Sequence, residues 1–285
     1  MAMTSHSTEP APTAALGAQA ASGSSFYAGM RVLPKPEREA MYAVYGFCRV
    51  VDDIADDQTM PIPDQRQELH AWRADIEALY AGRDGGRAAA LRDPVLRYGL
   101  EKADFLAVVD GMQMDLEGIV RPDLATLDLY CDRVAVAVGR LSVRIFGMPE
   151  GPGVALAHNL GRALQLTNVV RDIDEDADMG RLYLPDELLR DAGIETRDPH
   201  AAIAAPGVEQ VCGQIADIAH DYFVAANRVM DARPPGRLAA PRLMAAAYAG
   251  LLTRLEARGW AAPRKPVKVR KAALIWLLVR QGLLG

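Results

Sequence analysis

Asn168-Val169-Val170-Arg171-Asp172-Ile173-Asp174-Glu175-Asp176 is the stretch on which the reading of this chain turns. On a helix of about 3.6 residues per turn, positions four apart drift by only about 40° around the axis. Asn168, Asp172 and Asp176 therefore form one polar ladder, with Gln165 nearly in line a turn earlier. A second acidic run, Asp52-Asp53-Ile54-Ala55-Asp56-Asp57, sets like charges four apart twice, and each such pair costs an isolated helix roughly 0.2–0.5 kcal/mol. It also falls at the C-terminal end of its helix, where the macrodipole prefers cations. Both runs adjoin apolar helical stretches that must be buried, residues 41–51 and 154–170, which argues against a merely solvated acidic surface. A calcium loop counted from Asp172 fails, because Ala177 stands where glycine is needed and Tyr183 where the bidentate glutamate belongs.

Stacked carboxylates on two helices become favourable when hard divalent cations lie between them. Mg²⁺ in particular keeps several waters and is held by a few carboxylates plus substrate phosphates. The reading is therefore two acid-lined helices facing across a cavity, with Mg²⁺, or Mn²⁺ in its place, joining Asp52, Asp53, Asp56, Asn168, Asp172 and Asp176 to a diphosphate. Arg49 and Arg171 supply fixed positive charge for phosphate oxygens, and Arg181 and Tyr183 follow the ladder closely enough to reach the same group from a loop.

Composition narrows the class. With 285 residues, half of them apolar, the chain buries a large core, and its net charge of −5 argues against a nucleic-acid partner. Cys48, Cys131 and Cys212 have neither metal-type nor disulfide-type spacing and read as reduced thiols, which suits a cytoplasmic protein. Residues 1–21 read as a disordered tail rich in Ala, Ser, Thr and Pro, with no secretory signal, and residues 22–285 as one domain. Beyond Glu256 the chain turns basic, through Arg258, Arg264, Lys265, Lys268, Arg270, Lys271 and Arg280. The apolar run 272–279 is far shorter than the about 20 residues that span a bilayer. Such an end either caps the core or lies on the anionic inner membrane surface as a peripheral contact.

Strand signals are missing, so the fold class is all-α: a single domain of helices around a central cavity. Pro34 and Pro36 precede a helix carrying Met41, Val44, Tyr45, Cys48 and Val51 at spacings of three and four. Further helices are expected over residues 64–80, 94–118, 124–146, 151–178, 208–230 and 239–259, with a glycine-rich loop at 82–87 and a connection over 198–207. Gly180 ends the second acidic helix, and Pro185 starts a short one. Ala135, Ala137 and Gly139 either allow close helix packing or leave room for an apolar tunnel. Asp115 reads as structural or as supporting the acidic site, and Tyr248 lies on the apolar face of the last helix.

Tyr45-Gly-Phe-Cys48-Arg49-Val-Val-Asp52-Asp53-Ile-Ala-Asp56, the segment Gly161-Arg-Ala-Leu-Gln165-Leu-Thr-Asn168 running on through Asp176, and Arg181-Leu-Tyr183-Leu-Pro185 together resemble the signature segments of the squalene and phytoene synthase family. The likeness extends from about Ser24 to Trp260. Near its start this chain has Gly23-Ser24-Ser25-Phe26, with glycine where the family opens on serine.

The resemblance implies an isoprenoid-synthase fold and head-to-head condensation of two prenyl diphosphates, here farnesyl diphosphate. It implies substrate contacts at Ser25, Phe26, Arg49, Gln165, Asn168, Arg171, Arg181 and Tyr183. Tyr45, Tyr130 and Tyr248, or the released diphosphate itself, are candidate bases, although a phenol with a reference pKa of about 10 suits positioning and cation stabilisation better. A fifteen-carbon tail is worth roughly 10 kcal/mol of burial, which requires a deep slot. The wording around residues 26–34 and 130–147 is most similar to members that stop at the cyclopropane and leave reduction to another enzyme, so NADPH is not expected. The alternatives are a full NADPH-dependent squalene synthase, a phytoene or dehydrosqualene synthase, a terpene cyclase and a non-catalytic prenyl-binding protein.

Overall fold

The computed structural model describes residues 29–267. The expected tail at 1–21, Ser25, Phe26 and the basic stretch from Lys268 onward lie outside the described residues.

Helix α1 (Lys35–Asp56) begins behind Pro34 and carries Pro36 in its first turn, where a fixed φ and a missing N–H cost nothing. It buries Ala40, Met41, Val44, Phe47, Val51 and Ala55, one apolar face at helical spacing. Its last carbonyls need donor partners. The buried Gln65, on α2 (Ile62–Tyr80), supplies them by donating to Ile54 O at 2.8 Å and Asp57 O at 2.7 Å. That contact holds the acidic end of α1 in place. Phe47 packs edge-on against Trp72 and Phe105, each at 5.4 Å between ring centroids, which joins α1 and α2 to the helix Lys102–Glu117.

The remaining helices are α3 (Arg92–Tyr98), α4 (Lys102–Glu117), α5 (Leu124–Cys131), α6 (Ala137–Ile145), α7 (Glu150–Arg171), α8 (Ile173–Asp178), α9 (Asp186–Asp191), α10 (Pro199–Ala204), α11 (Val208–Asp231) and α12 (Ala239–Arg258). Helix α7 is central, packed by α6, α11 and α12. Gly153, Ala157 and Gly161 lie along its α6 side. A Cβ on Gly161 would sit 2.9 Å from Val136 Cα, and one on Gly139 would sit 3.1 Å from Ala157 Cα. The smallness of Gly139 thus serves close packing rather than a tunnel wall.

Several expected boundaries move. The helix expected over 94–118 is interrupted at Gly99, whose φ of 60° is left-handed and ends α3. A 3₁₀ turn at Gly86–Leu91 takes over the end of the glycine-rich loop, and α10 forms inside the expected 198–207 connection, capped by the Asp198 carboxylate at 2.7 Å from Ala201 N. The rod 124–146 contains a π-turn, Asp132–Val136, between α5 and α6. The second acidic helix breaks at Asp172 (φ −101°, ψ 15°), which separates α7 from α8. Among the described residues the sole extended pairing is an isolated bridge between Val120 and Leu182.

Candidate active site

The loop that follows α8 meets the C-terminal end of α1. Arg181, only 10% exposed in its side chain, donates to Asp56 Oδ1 at 2.6 Å and to Ala55 O at 3.0 Å, so the loop after α8 grips the acidic end of α1. Gly180, with a φ of 73°, makes the reversal that turns Arg181 back. The loop is held in turn by Arg121 N donating to Leu182 O at 2.9 Å and Leu182 N donating to Ile119 O at 2.8 Å.

Carboxylates crowd this end. Asp52 is pushed up to about 6 by burial and by the neighbouring charge of Asp56, with Arg49 pulling the other way. Asp176 is pushed up to about 8, first by burial and then by Asp172, with Asp115 and Asp56 adding to it. Asp56 of α1 and Asp115 of α4 thus lie near enough to Asp176 to raise its carboxyl. Asp53 differs from the expected metal set: its side chain is 63% exposed and pairs with Arg49 at 2.5 Å, on the outer side of the helix.

The arginines sit among these acids. Arg49 also donates to Asp52 Oδ2 at 2.6 Å, and Arg171 grips Asp172 with two nitrogens, its Nε at 2.6 Å. Arg171 also hydrogen-bonds the buried Tyr248. Burial lifts the Tyr248 phenol and Arg171 opposes that lift, while Tyr45 lies near enough to add to it. Asn168 donates to Gln165 Oε1 at 3.3 Å, and its own Oδ1 is buried without a hydrogen-bond partner. Such an oxygen is costly unless something electropositive meets it.

Divalent metal suits this donor set: hard oxygens on two helices, mutual repulsion for a cation to relieve, and an unmatched amide oxygen on the ladder. Among the described residues no three acids gather at metal-binding distance, and Asp52, Asp172 and Asp56 are paired with Arg49, Arg171 and Arg181.

Sequence reading underrated Asp115. It is buried, accepting from Tyr183 OH at 2.6 Å and from Tyr130 OH at 3.2 Å, and the two phenol rings stack at 4.9 Å. The only sequence signal was its helical position beside a similar family segment, because its partners lie 15 and 68 residues away. Burial pushes Asp115 up to about 6, while both tyrosine hydroxyls and Arg181 resist that rise. Both phenols are driven well above their ordinary range, by burial and then by the Asp115 charge, so neither is a base near neutrality. Folding raises the Asp115 carboxyl from 3.8 to about 6, so it favours the folded state fully below pH 3.8 and loses that contribution as pH rises through 6. Asp115→Asn should therefore flatten the decline in melting temperature between about pH 4 and 7. An unchanged slope in the variant would contradict this environment.

Directly beneath the polar rim the helices turn apolar. One turn below Asp52 is Cys48, below Asn168 is Leu164, and one turn beyond Tyr130 is Val134; all three pack on the core without being fully covered. A rim of acids and arginines over an apolar interior, in a fold built of helices, defines an isoprenoid-synthase architecture. The chain belongs to the squalene/phytoene synthase family, whose model matches residues 19–273. It is 58% identical over 261 residues to the presqualene diphosphate synthase of Zymomonas mobilis subsp. mobilis, covering 91% of this chain and 89% of that protein. It is 52% identical over 282 residues to the presqualene diphosphate synthase of Rhodopseudomonas palustris, covering 99% and 100%. Among solved structures, the squalene synthase HpnC from Alicyclobacillus acidocaldarius superposes with a TM-score of 0.75 at 26% identity, covering 87% of this chain and 95% of that one. A ligand complex of a dehydrosqualene synthase superposes at 0.79 with 24% identity, covering 94% of each chain, and bears on the fold alone.

Proposed function

We propose that this protein joins two molecules of farnesyl diphosphate head to head, releasing one diphosphate and forming presqualene diphosphate, a precursor of squalene and hopanoids. The observation that carries the reading is the meeting of the two acid-and-arginine segments through Arg181 and Asp56, in a chain 58% identical to an enzyme of that name.

Asp52, Asp56, Asn168, Asp172 and Asp176 are the residues that would hold magnesium, which when bound makes the donor's diphosphate a leaving group by Lewis acidity. Arg49, Arg171 and Arg181 bind and orient the two diphosphates and keep their charge matched as the donor's carbon–oxygen bond breaks. Cys48, Leu164 and Val134 exclude water beneath the rim, so the allylic cation meets the acceptor's double bond rather than hydroxide. Tyr130 and Tyr183, locked by Asp115, and Tyr248, held by Arg171, present phenol faces and oxygens that position and stabilise the cation. Loss of one proton to the released diphosphate then closes the cyclopropane. Gln165 supports this set by orienting the Asn168 amide. Ser25 and Phe26 complete the substrate contacts in this proposal.

Incubation with farnesyl diphosphate and Mg²⁺ should yield presqualene diphosphate in the same amount with and without NADPH. Squalene formed only when NADPH is added would replace this reading with that of a complete squalene synthase. A cytoplasmic protein touching the inner membrane surface through its basic residues from Lys268 onward fits an amphiphilic product, because Arg264 is already buried against Asp174. Among the described residues no helix is long and apolar enough to cross a membrane.

A further inference from the structure

Arg121 has a φ of 57°, left-handed backbone in a residue that is not glycine, and its side chain is only 2% exposed. A long side chain rarely takes that conformation, which persists only where the surroundings over-determine it. Here they do so from three sides. Arg121 N donates to Leu182 O at 2.9 Å, its Nε to Asp186 Oδ1 at 2.7 Å and its Nη1 to Thr196 O at 2.7 Å. Residues on either side of it join the same loop, since Leu182 N donates to Ile119 O and Asp186 N to Pro122 O, each at 2.8 Å.

These bonds bracket the segment that carries Arg181 and Tyr183. The N–H and the carbonyl of Leu182 are both taken, and Val120 and Leu182 form the isolated bridge. In extended backbone successive side chains point to opposite sides, so fixing Leu182 fixes the common side to which its two neighbours turn. Arg181 thereby reaches Asp56, and Tyr183 reaches Asp115 at 2.6 Å. Asp186 has a second partner in Arg190, so its charge does not depend on Arg121 for neutralisation. What the buried guanidinium adds is an anchor that keeps residue 121 in its left-handed turn against the loop.

We infer that Arg121 is a positioning residue for the condensation, clamping Leu182 so that Tyr183 is presented to the cation with its hydroxyl on Asp115. This rests on the prenyl-condensation reading given above and deepens it by naming a residue that acts through Tyr183. A loosened clamp leaves diphosphate binding to Arg49 and Arg171 and weakens the step after ionisation. The donor's carbon–oxygen bond still breaks, its electron pair leaving on diphosphate. Part of the allylic cation then takes a water oxygen, loses a proton and departs as a fifteen-carbon allylic alcohol.

Full-length Arg121→Met tests this with farnesyl diphosphate and Mg²⁺, well below its melting temperature. The kcat for presqualene diphosphate should fall on the order of tenfold while KM moves by less than about threefold. Released diphosphate should exceed the presqualene diphosphate formed, with the difference recovered as the allylic alcohol. Arg121→Lys, which keeps a cation for Asp186, should restore part of kcat and of the stoichiometry. In a Tyr183→Phe background, Arg121→Met should cost no more than about threefold further, because the two act by one route. Should Arg121→Met not fold, Arg121→Asn takes its place, since asparagine tolerates left-handed backbone. A lower melting temperature with kcat and stoichiometry unchanged, or the full loss repeated in the Tyr183→Phe background, overturns the positioning role and leaves the function standing. Wild type that forms no presqualene diphosphate overturns the function and the positioning role together.

Discussion

Asp52→Asn and Asp172→Asn should each lower presqualene diphosphate formation by on the order of 10³-fold or more while leaving the helical fold intact. Asparagine keeps the shape of aspartate and removes the charge, so packing is preserved. Loss of folded stability should be small. Asp52 is pushed up to about 6 by burial and by Asp56, so its ionised form works against the fold near neutrality. The Asp172 pair with Arg171 is partly exposed, and such pairs contribute about 0–1 kcal/mol. Turnover measured under saturating farnesyl diphosphate and Mg²⁺, beside circular dichroism melts, separates the two effects. Retained activity in either variant would remove that carboxylate from the metal-holding set.

Gly161→Val should be the most damaging small change away from the acids. Its Cβ would stand 2.9 Å from Val136 Cα and 3.0 Å from Val136 N, which are backbone atoms inside the π-turn. Backbone cannot swing aside as a flexible side chain can, so α7 and the α5–α6 rod must part. Overpacking of this kind costs about 1–3 kcal/mol and sometimes more. At about 2–4 °C per kcal/mol for a domain of this size, the melting temperature should fall by several degrees. Activity should fall further than stability explains, because the rod carries Tyr130 and α7 carries Asn168. Gly151→Ala is the control: nothing lies within 4 Å of its added Cβ, and it sits in the first turn of α7. It should be neutral or slightly stabilising, and a loss there equal to that of Gly161→Val would refute the contact argument.

The contrast between these two sites shows what local pattern conveys. Ladders of Asn168, Asp172 and Asp176 and of Asp52 and Asp56 are visible in the sequence because helical period is a local property. The apolar face of α1 is visible for the same reason. The all-α class, the two acidic segments and the arginines beside them were therefore legible without coordinates. The break at Asp172 was not, since the spacing that defines the ladder is equally satisfied by one continuous helix and by a long one followed by a short one.

By itself the sequence determined the chemistry available to this protein: hard oxygen donors at one-turn spacing, guanidiniums among them, and enough apolar residues to wall a helical interior. Tertiary structure alone decided which partners those groups take. It set Asp115 under two stacked phenols, turned Arg181 back onto Asp56, faced Asp53 outward and gave Gly139 to a helix contact instead of a cavity wall. The physical reason is that a carboxylate's charge and spacing are written in a few adjacent residues. Its burial and its neighbours across 68 or 125 positions depend on how whole helices pack.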